Sequence, residues 1–185
     1  MIRQHRRVIL KAIGVFLISY LLFLIFWITV KDSYGRGTIY AASKLVAGIK
    51  DVKFQEMTHE RDGVEVTFAP LGHGSDILID IPVKISSYTF NAPLTFAIMA
   101  SLYPFLRRKP RAYGEALSLL LSVHLLYLFS LEAKELTDVL TDRAIQKSGT
   151  PTTLLYQFLW SFTDNMVIRF EPFLIGLFLF LRFRK

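Results

Sequence analysis

Residues 8–30, VILKAIGVFLISYLLFLIFWITV, form an apolar run of 23 residues interrupted by one charge, Lys11. About 20 apolar residues, each rising 1.5 Å, cross the ~30 Å hydrocarbon core of a bilayer as a helix. The apolar region of a cleaved signal peptide is shorter, roughly 7–15 residues. The run therefore reads as an uncleaved signal anchor, with Lys11 near its start reaching back to the headgroups. The rest of the chain agrees: 52% of its 185 residues are hydrophobic and 16 are Phe, a membrane-like composition. There is no cysteine, which excludes disulfides, thiolate metal sites and a Cys nucleophile.

A formal charge of +7 raises nucleic acid as a partner. The positive residues instead cluster beside apolar runs, and neither zinc-finger spacing nor an RNA-binding signature is present. Nucleic acid is set aside, and membrane lipids and other membrane or periplasmic subunits are the expected partners.

Three further apolar runs follow. Residues 92–106, APLTFAIMASLYPFL, cover about 22 Å as a helix, short for a span unless the bilayer thins. Pro93 and Pro104 flank its core, where prolines cost least. Residues 116–131 make the third run and residues 154–183 contain the fourth. The expected fold is a membrane bundle of four helices with a small extracytoplasmic α+β insert. Its parts are an N-terminal anchor over 1–31, the insert over 32–91, and a membrane region over 92–185 that includes a long helical hairpin, 115–183.

Orientation follows from Lys and Arg at the membrane ends. Arg3, Arg6 and Arg7, then Arg107, Arg108, Lys109 and Arg111, then Arg182, Arg184 and Lys185 share one side if there are four spans. Asp32, Asp51, Glu56, Glu60, Asp76 and Glu135 lie opposite. Both termini are then cytoplasmic, and the insert is periplasmic in a bacterial inner membrane.

Within the insert, TIYAASKLVAGI reads as a short amphipathic helix ending near Gly48. Asp62-Gly63 between alternating segments signals a β-hairpin, with Val64, Val66 and Phe68 on one face. ILIDIPVKI gives a third strand, and Pro82 marks it as an edge or a bulge. Asn91 is placed to cap the helix that follows. In the second outer connection, Leu136, Val139 and Leu140 recur at helical spacing. Nothing breaks the helix from Glu115 to Gln146 before Ser148-Gly149 ends it.

The polar groups inside the apolar runs are where chemistry would reside. In DNMVIRFEPFLIG, Asp164 and Asn165 fall near the outer boundary, counted back from Arg182 at the inner headgroups. Arg169 and Glu171 fall about 20 and 16 Å deep, where charges are expensive unless paired or wetted. They point about 200° apart on the helix. Asn165 stands four residues from Arg169, and Pro172 frees the carbonyl of Ile168. His124 lies at a depth similar to Glu171 on the neighbouring helix, so a His124–Glu171 hydrogen bond is the expected pairing. A packing role for it outweighs a proton relay or a ligand site.

His59, His73 and Asp76 do not read as a metal set. There is no Gly-x-Ser-x-Gly elbow, and GRG and GHG are too short for phosphate loops. No catalytic residue, metal or cofactor is assigned. Tyr156, Trp160 and Phe162 make an aromatic belt or a partner face, and Leu136, Val139 and Leu140 join them as interface candidates.

With FNAPLT and IRFEPFLIGLFLF on the page, the layout resembles the small exosortase-associated membrane proteins of bacteria. They share an N-terminal anchor, a short β-rich outer insert and a polar-tipped apolar helical half. The resemblance implies an accessory role beside a protein-sorting peptidase of the envelope, whose own Cys this chain lacks. The expected function is thus a non-catalytic subunit or assembly factor of a larger envelope complex. The alternative is a lipid-, quinone- or haem-handling protein using His124, Arg169 and Glu171.

Overall fold

The computed structural model describes residues 2–60, 63–71, 77–103, 109–145 and 149–183. His73, Asp76, Asp62 and the basic residues 107 and 108 lie outside them. The elements run α1 (Ile2–Ile49), β1 (Val52–Glu60), β2 (Gly63–Pro70), β3 (Ile79–Lys84), α2 (Ile85–Thr89) and α3 (Ala92–Ser101). They continue with α4 (Pro110–Asp142), α5 (Thr150–Phe162), a π-helical turn (Thr163–Val167) and α6 (Ile168–Phe183). The chain is mostly helical with one three-stranded antiparallel sheet of order β1-β2-β3.

Two helices, α1 and α4, are long and apolar enough to cross a membrane. Among the described residues no other single helix has that length and apolarity, so a four-span bundle is not shown. Helix α3 has 10 residues, about 15 Å of rise, half of a hydrocarbon core. The fourth apolar run is divided by the π turn into helices of 13 and 16 residues. The separate amphipathic helix expected in the insert is also corrected. It is the far end of α1, a single helix of 48 residues. The linking stretch KDSYGRG has no proline, and a glycine costs a helix only about 1 kcal/mol, too little to stop one held by packing.

The chain divides into two compact units. The first comprises the described residues of Met1–Lys31, Phe90–Ser122 and Arg169–Lys185. Here α6 buries Glu171, Pro172, Ile175, Gly176 and Leu179, the 3–4 spacing of one helical face. A Cβ on Gly176 would lie 2.6 Å from Ile98 Cγ2, so glycine is what lets α3 and α6 approach. Trp27 and Phe23 of α1 meet Phe96 of α3 at ring separations of 6.3 and 5.4 Å. Asn91 occupies the cap position of α3, but its side chain makes no capping bond and Pro93 sits in the first turn. Most other apolar residues of α1 between Leu10 and Ile28 remain exposed.

The second unit comprises the described residues of Asp32–Thr89 and Val123–Ile168. The hairpin pairs Glu60 with Gly63 and Val52 with Pro70, with a bulge between Phe54 and Glu56. Pro82 lies in β3, which pairs only with β2 and is an edge, the place where a missing donor is tolerated. Val64, Val66 and Phe68 share the buried face with Ile79, Ile81 and Val83. That face packs on Ile39, Ala42 and Val46 of α1 and on Leu128, Leu136 and Leu140 of α4 in one core. A sheet this small buries too little by itself, and the two helices supply the second layer.

Candidate functional site

The second unit holds a group of polar side chains inside this core. On α1, Tyr34, Thr38 and Ser43 are spaced by four and five residues, so they follow one inward face. On α4, His124, Leu128, Glu132, Leu136 and Leu140 recur every fourth residue and all are buried. Two polar residues therefore interrupt an otherwise apolar seam. Helix α2 contributes Tyr88, which is fully buried.

Gly35 sets the approach of α2. A Cβ there would lie 2.5, 2.8 and 2.9 Å from three side-chain atoms of Ile85. Without it, α2 seats close enough for the Tyr88 hydroxyl to lie 2.9 Å from Thr38 Oγ1 and 3.2 Å from the Gly35 carbonyl. Thr38 in turn reaches its own helix's carbonyls at Tyr34 and Gly35. Burial pushes the Tyr88 phenol well above its ordinary range, and the bond with Thr38 offsets only part of that. Tyr88 is thus a neutral hydroxyl that holds α2 against α1.

The Tyr34 hydroxyl lies 2.7 Å from His124 Nδ1. The ring also meets Tyr34 and Tyr88 edge-on, at 5.6 and 5.4 Å.

Glu132 is fully buried and its Oε1 lies 3.0 Å from Ser43 Oγ. Ser43 also lies 2.8 Å from the Ile39 carbonyl. One hydroxyl hydrogen cannot serve two acceptors at once. The count closes when Glu132 carries a proton. Glu132 was not singled out in the sequence, where it reads as the first acid of an outer connection. Its register, eight residues and two turns from His124, was the available signal.

The cluster suits packing better than chemistry. Thr38, Ser43, Tyr88, His124 and Glu132 are all buried, so no substrate reaches them. Among the described residues, no three His, Asp or Glu side chains gather as metal ligands would.

The other expected site residues lie on α4, the π turn and α6. His124 belongs to the second unit and Glu171 to the first, each fully or almost fully buried. Arg169 is exposed. Asp164 is half-buried and Asn165 exposed within the π turn. Asn165 donates to the Ser161 carbonyl at 2.9 Å and Thr163 to the Leu159 carbonyl at 2.7 Å. Both bond back to carbonyls of the preceding turn of the same helix, which accounts for Asn165 among Asp164, Asn165, Arg169 and Glu171.

Among the interface candidates, Leu136 and Leu140 are spent on the chain's own core and are not available to a partner. Val139, Tyr156 and Trp160 pack against that core from its edge, Trp160 on Tyr127 at 5.0 Å. Phe162 is exposed, and with it Leu154, Leu155 and Phe158, at 46%, 59%, 59% and 67%. Helix α5 has no buried residue at all.

Compared with protein-family models, curated proteins and solved structures, the chain shows no significant match.

In the first unit, an apolar cavity of about 110 Å³ is lined by Thr95, Phe96, Met99, Tyr113, Ala116, Leu117 and Leu120. Among the described residues the Tyr113 hydroxyl has no hydrogen-bond partner.

Proposed function

We propose that this chain is a non-catalytic subunit of a larger membrane assembly that docks its partner through the apolar face of α5. The observation that carries this reading is that α5 has no fully buried residue and exposes Leu154, Leu155, Phe158 and Phe162. Those four side chains offer on the order of 400 Å² of apolar surface, at the upper end of what a monomer leaves open to water. Lipid does not account for all of it. With Arg182 at the inner headgroups, a ~30 Å core reaches back about 20 residues, to about residue 162. Leu154, Leu155 and Phe158 then stand above the hydrocarbon, where another protein must cover them. The partner is a membrane-anchored protein presenting an apolar helix at that height. The positive-inside pattern supports cytoplasmic termini, a multi-pass topology in a bacterial inner membrane and a periplasmic sheet. The resemblance to exosortase-associated proteins supports a partner in protein sorting or export.

The test is co-purification in mild detergent through a C-terminal tag, in wild type and in Phe158→Glu. A stoichiometric partner lost in Phe158→Glu, with the variant accumulating normally, is the expected result. A wild-type monomer, or a partner retained by Phe158→Glu, refutes docking through α5.

A second reading, the handling of a lipid, quinone or haem, is supported by the apolar cavity beside Tyr113. A bound chromophore or lipid in the same preparation would favour it.

A further inference from the structure

The apolar cavity of the first unit lies between α3 and α4. Tyr113, Ala116, Leu117 and Leu120 line it from α4 at three- and four-residue spacing, one face of that helix. Phe96 and Met99 of α3 form the opposite wall. From Tyr113 to Leu120 is about 10 Å along the helix. The volume is about 110 Å³, whereas a cavity of about 150 Å³ accepts benzene. A space this small, drawn out over that length, suits an extended hydrocarbon chain rather than a substituted ring.

Two hydroxyl-bearing residues line it. Thr95 spends its hydrogen on the Asn91 carbonyl at 3.3 Å. The Tyr113 hydroxyl is buried and, among the described residues, has no hydrogen-bond partner. An unmet buried donor is costly, and an acceptor on the occupant removes that cost. The occupant's acceptor therefore belongs at the Tyr113 end of the slot.

That end is also the polar end of α4. The helix begins at Pro110, so Tyr113 stands in its first turn, where there is no acid. Arg111 is exposed and, among the described residues, joins no ion pair. Glu115, just beyond, is neutralised by Arg182 at 3.1 Å. An anion is favoured here by Arg111 and by the positive end of the helix dipole. Along α4 the order is cation, hydroxyl donor and apolar slot. A phospholipid presents phosphate, ester carbonyl and acyl chain in the same order.

We propose that this cavity holds one acyl chain of an anionic phospholipid. Tyr113 donates to the ester carbonyl, the phosphate meets Arg111, and the chain lies along Ala116, Leu117 and Leu120. Basic pockets between membrane helices hold anionic headgroups in this way. A free fatty acid has a single polar group for the two partners, and a zwitterionic lipid has no net charge for Arg111. The assignment rests on the second reading of the function, whose ligand it names, and not on docking through α5.

The experiment is native mass spectrometry of the full chain in mild detergent, with phosphatidylglycerol, phosphatidylcholine, oleate and a ubiquinone at equal concentrations. One phosphatidylglycerol per chain is the expected adduct, at least fivefold above phosphatidylcholine. Tyr113→Phe should weaken it about fivefold, the worth of one net hydrogen bond. Arg111→Gln should remove the preference over phosphatidylcholine. Leu117→Trp, at an exposed position on the slot, should fill it and abolish the adduct. A preferred oleate or ubiquinone adduct, equal retention of phosphatidylcholine, or unchanged retention in Tyr113→Phe or Leu117→Trp overturns the assignment and leaves the second reading standing. No adduct of any kind overturns both. The competition among ligands uses only wild-type protein, so a variant that fails to fold leaves the test intact.

Discussion

Gly35 offers a direct test of how the buried polar cluster is held. Adding one methyl there, in Gly35→Ala, places a carbon 2.5–2.9 Å from Cγ2, Cγ1 and Cδ1 of Ile85. Ile85 is buried and has nowhere to swing, so α2 must shift. Overpacking of this kind costs about 1–3 kcal/mol. Alanine returns about 1 kcal/mol as the better helix former, leaving a net loss of about 1 kcal/mol. Ile85→Ala alone removes three carbons and should cost about 2–5 kcal/mol. In the double variant the new methyl has room, so Gly35→Ala should turn from a loss into a gain of about 1 kcal/mol. The coupling is then about 2 kcal/mol, within the range for residues in contact. Thermal unfolding of the four proteins in detergent, followed by circular dichroism, measures it. Additivity within about 0.5 kcal/mol would show that Gly35 does not set the seat of α2.

The remaining predictions concern two buried titratable groups of the second unit, Glu132 and Lys50. Glu132→Gln should be tolerated within about 1 kcal/mol, because a neutral amide can donate to Ser43 as the protonated acid does. Glu132→Lys, which forces a charge into the same place, should cost several kcal/mol or prevent folding; equal melting temperatures for the two would contradict a proton on Glu132. Lys50 gives a pH signature. Its folded value, about 8, lies below its ordinary 10.5. Below pH 8 the folded and unfolded chains are both protonated and the burial cost is fully present. Between pH 8 and 10.5 the folded chain has released a proton that the unfolded chain keeps, so stability rises with pH across that window. Lys50→Met should abolish the rise, as melts at pH 7.5 and 10 would show.

Several features were legible in the residues themselves. The hairpin was, because Asp62-Gly63 stands between strands whose alternation is unbroken, and strand register follows from which face must be buried. The edge position of β3 was legible from Pro82. The first and third apolar runs announce helices of membrane length, and α1 and α4 have it. The interruption of the fourth run was not legible. A π turn adds one residue to a helix without any composition signal of its own, and here Thr163 and Asn165 bonding backward accompany it.

What the sequence by itself determined is the apolar length of α1 and α4 and the alternation of the sheet, because each depends on neighbours in the chain. What only the tertiary structure decided is which polar groups share a core. Tyr34, Ser43, Tyr88, His124 and Glu132 come from three helices, and no local period links Ser43 to Glu132, 89 residues away. Their contact exists because Gly35 omits a side chain and the sheet presses α1 against α4. Leu136 and Leu140 have the same pattern on paper as a docking face. They are core because the sheet packs on them, while Leu154, Leu155, Phe158 and Phe162 of α5 stay exposed.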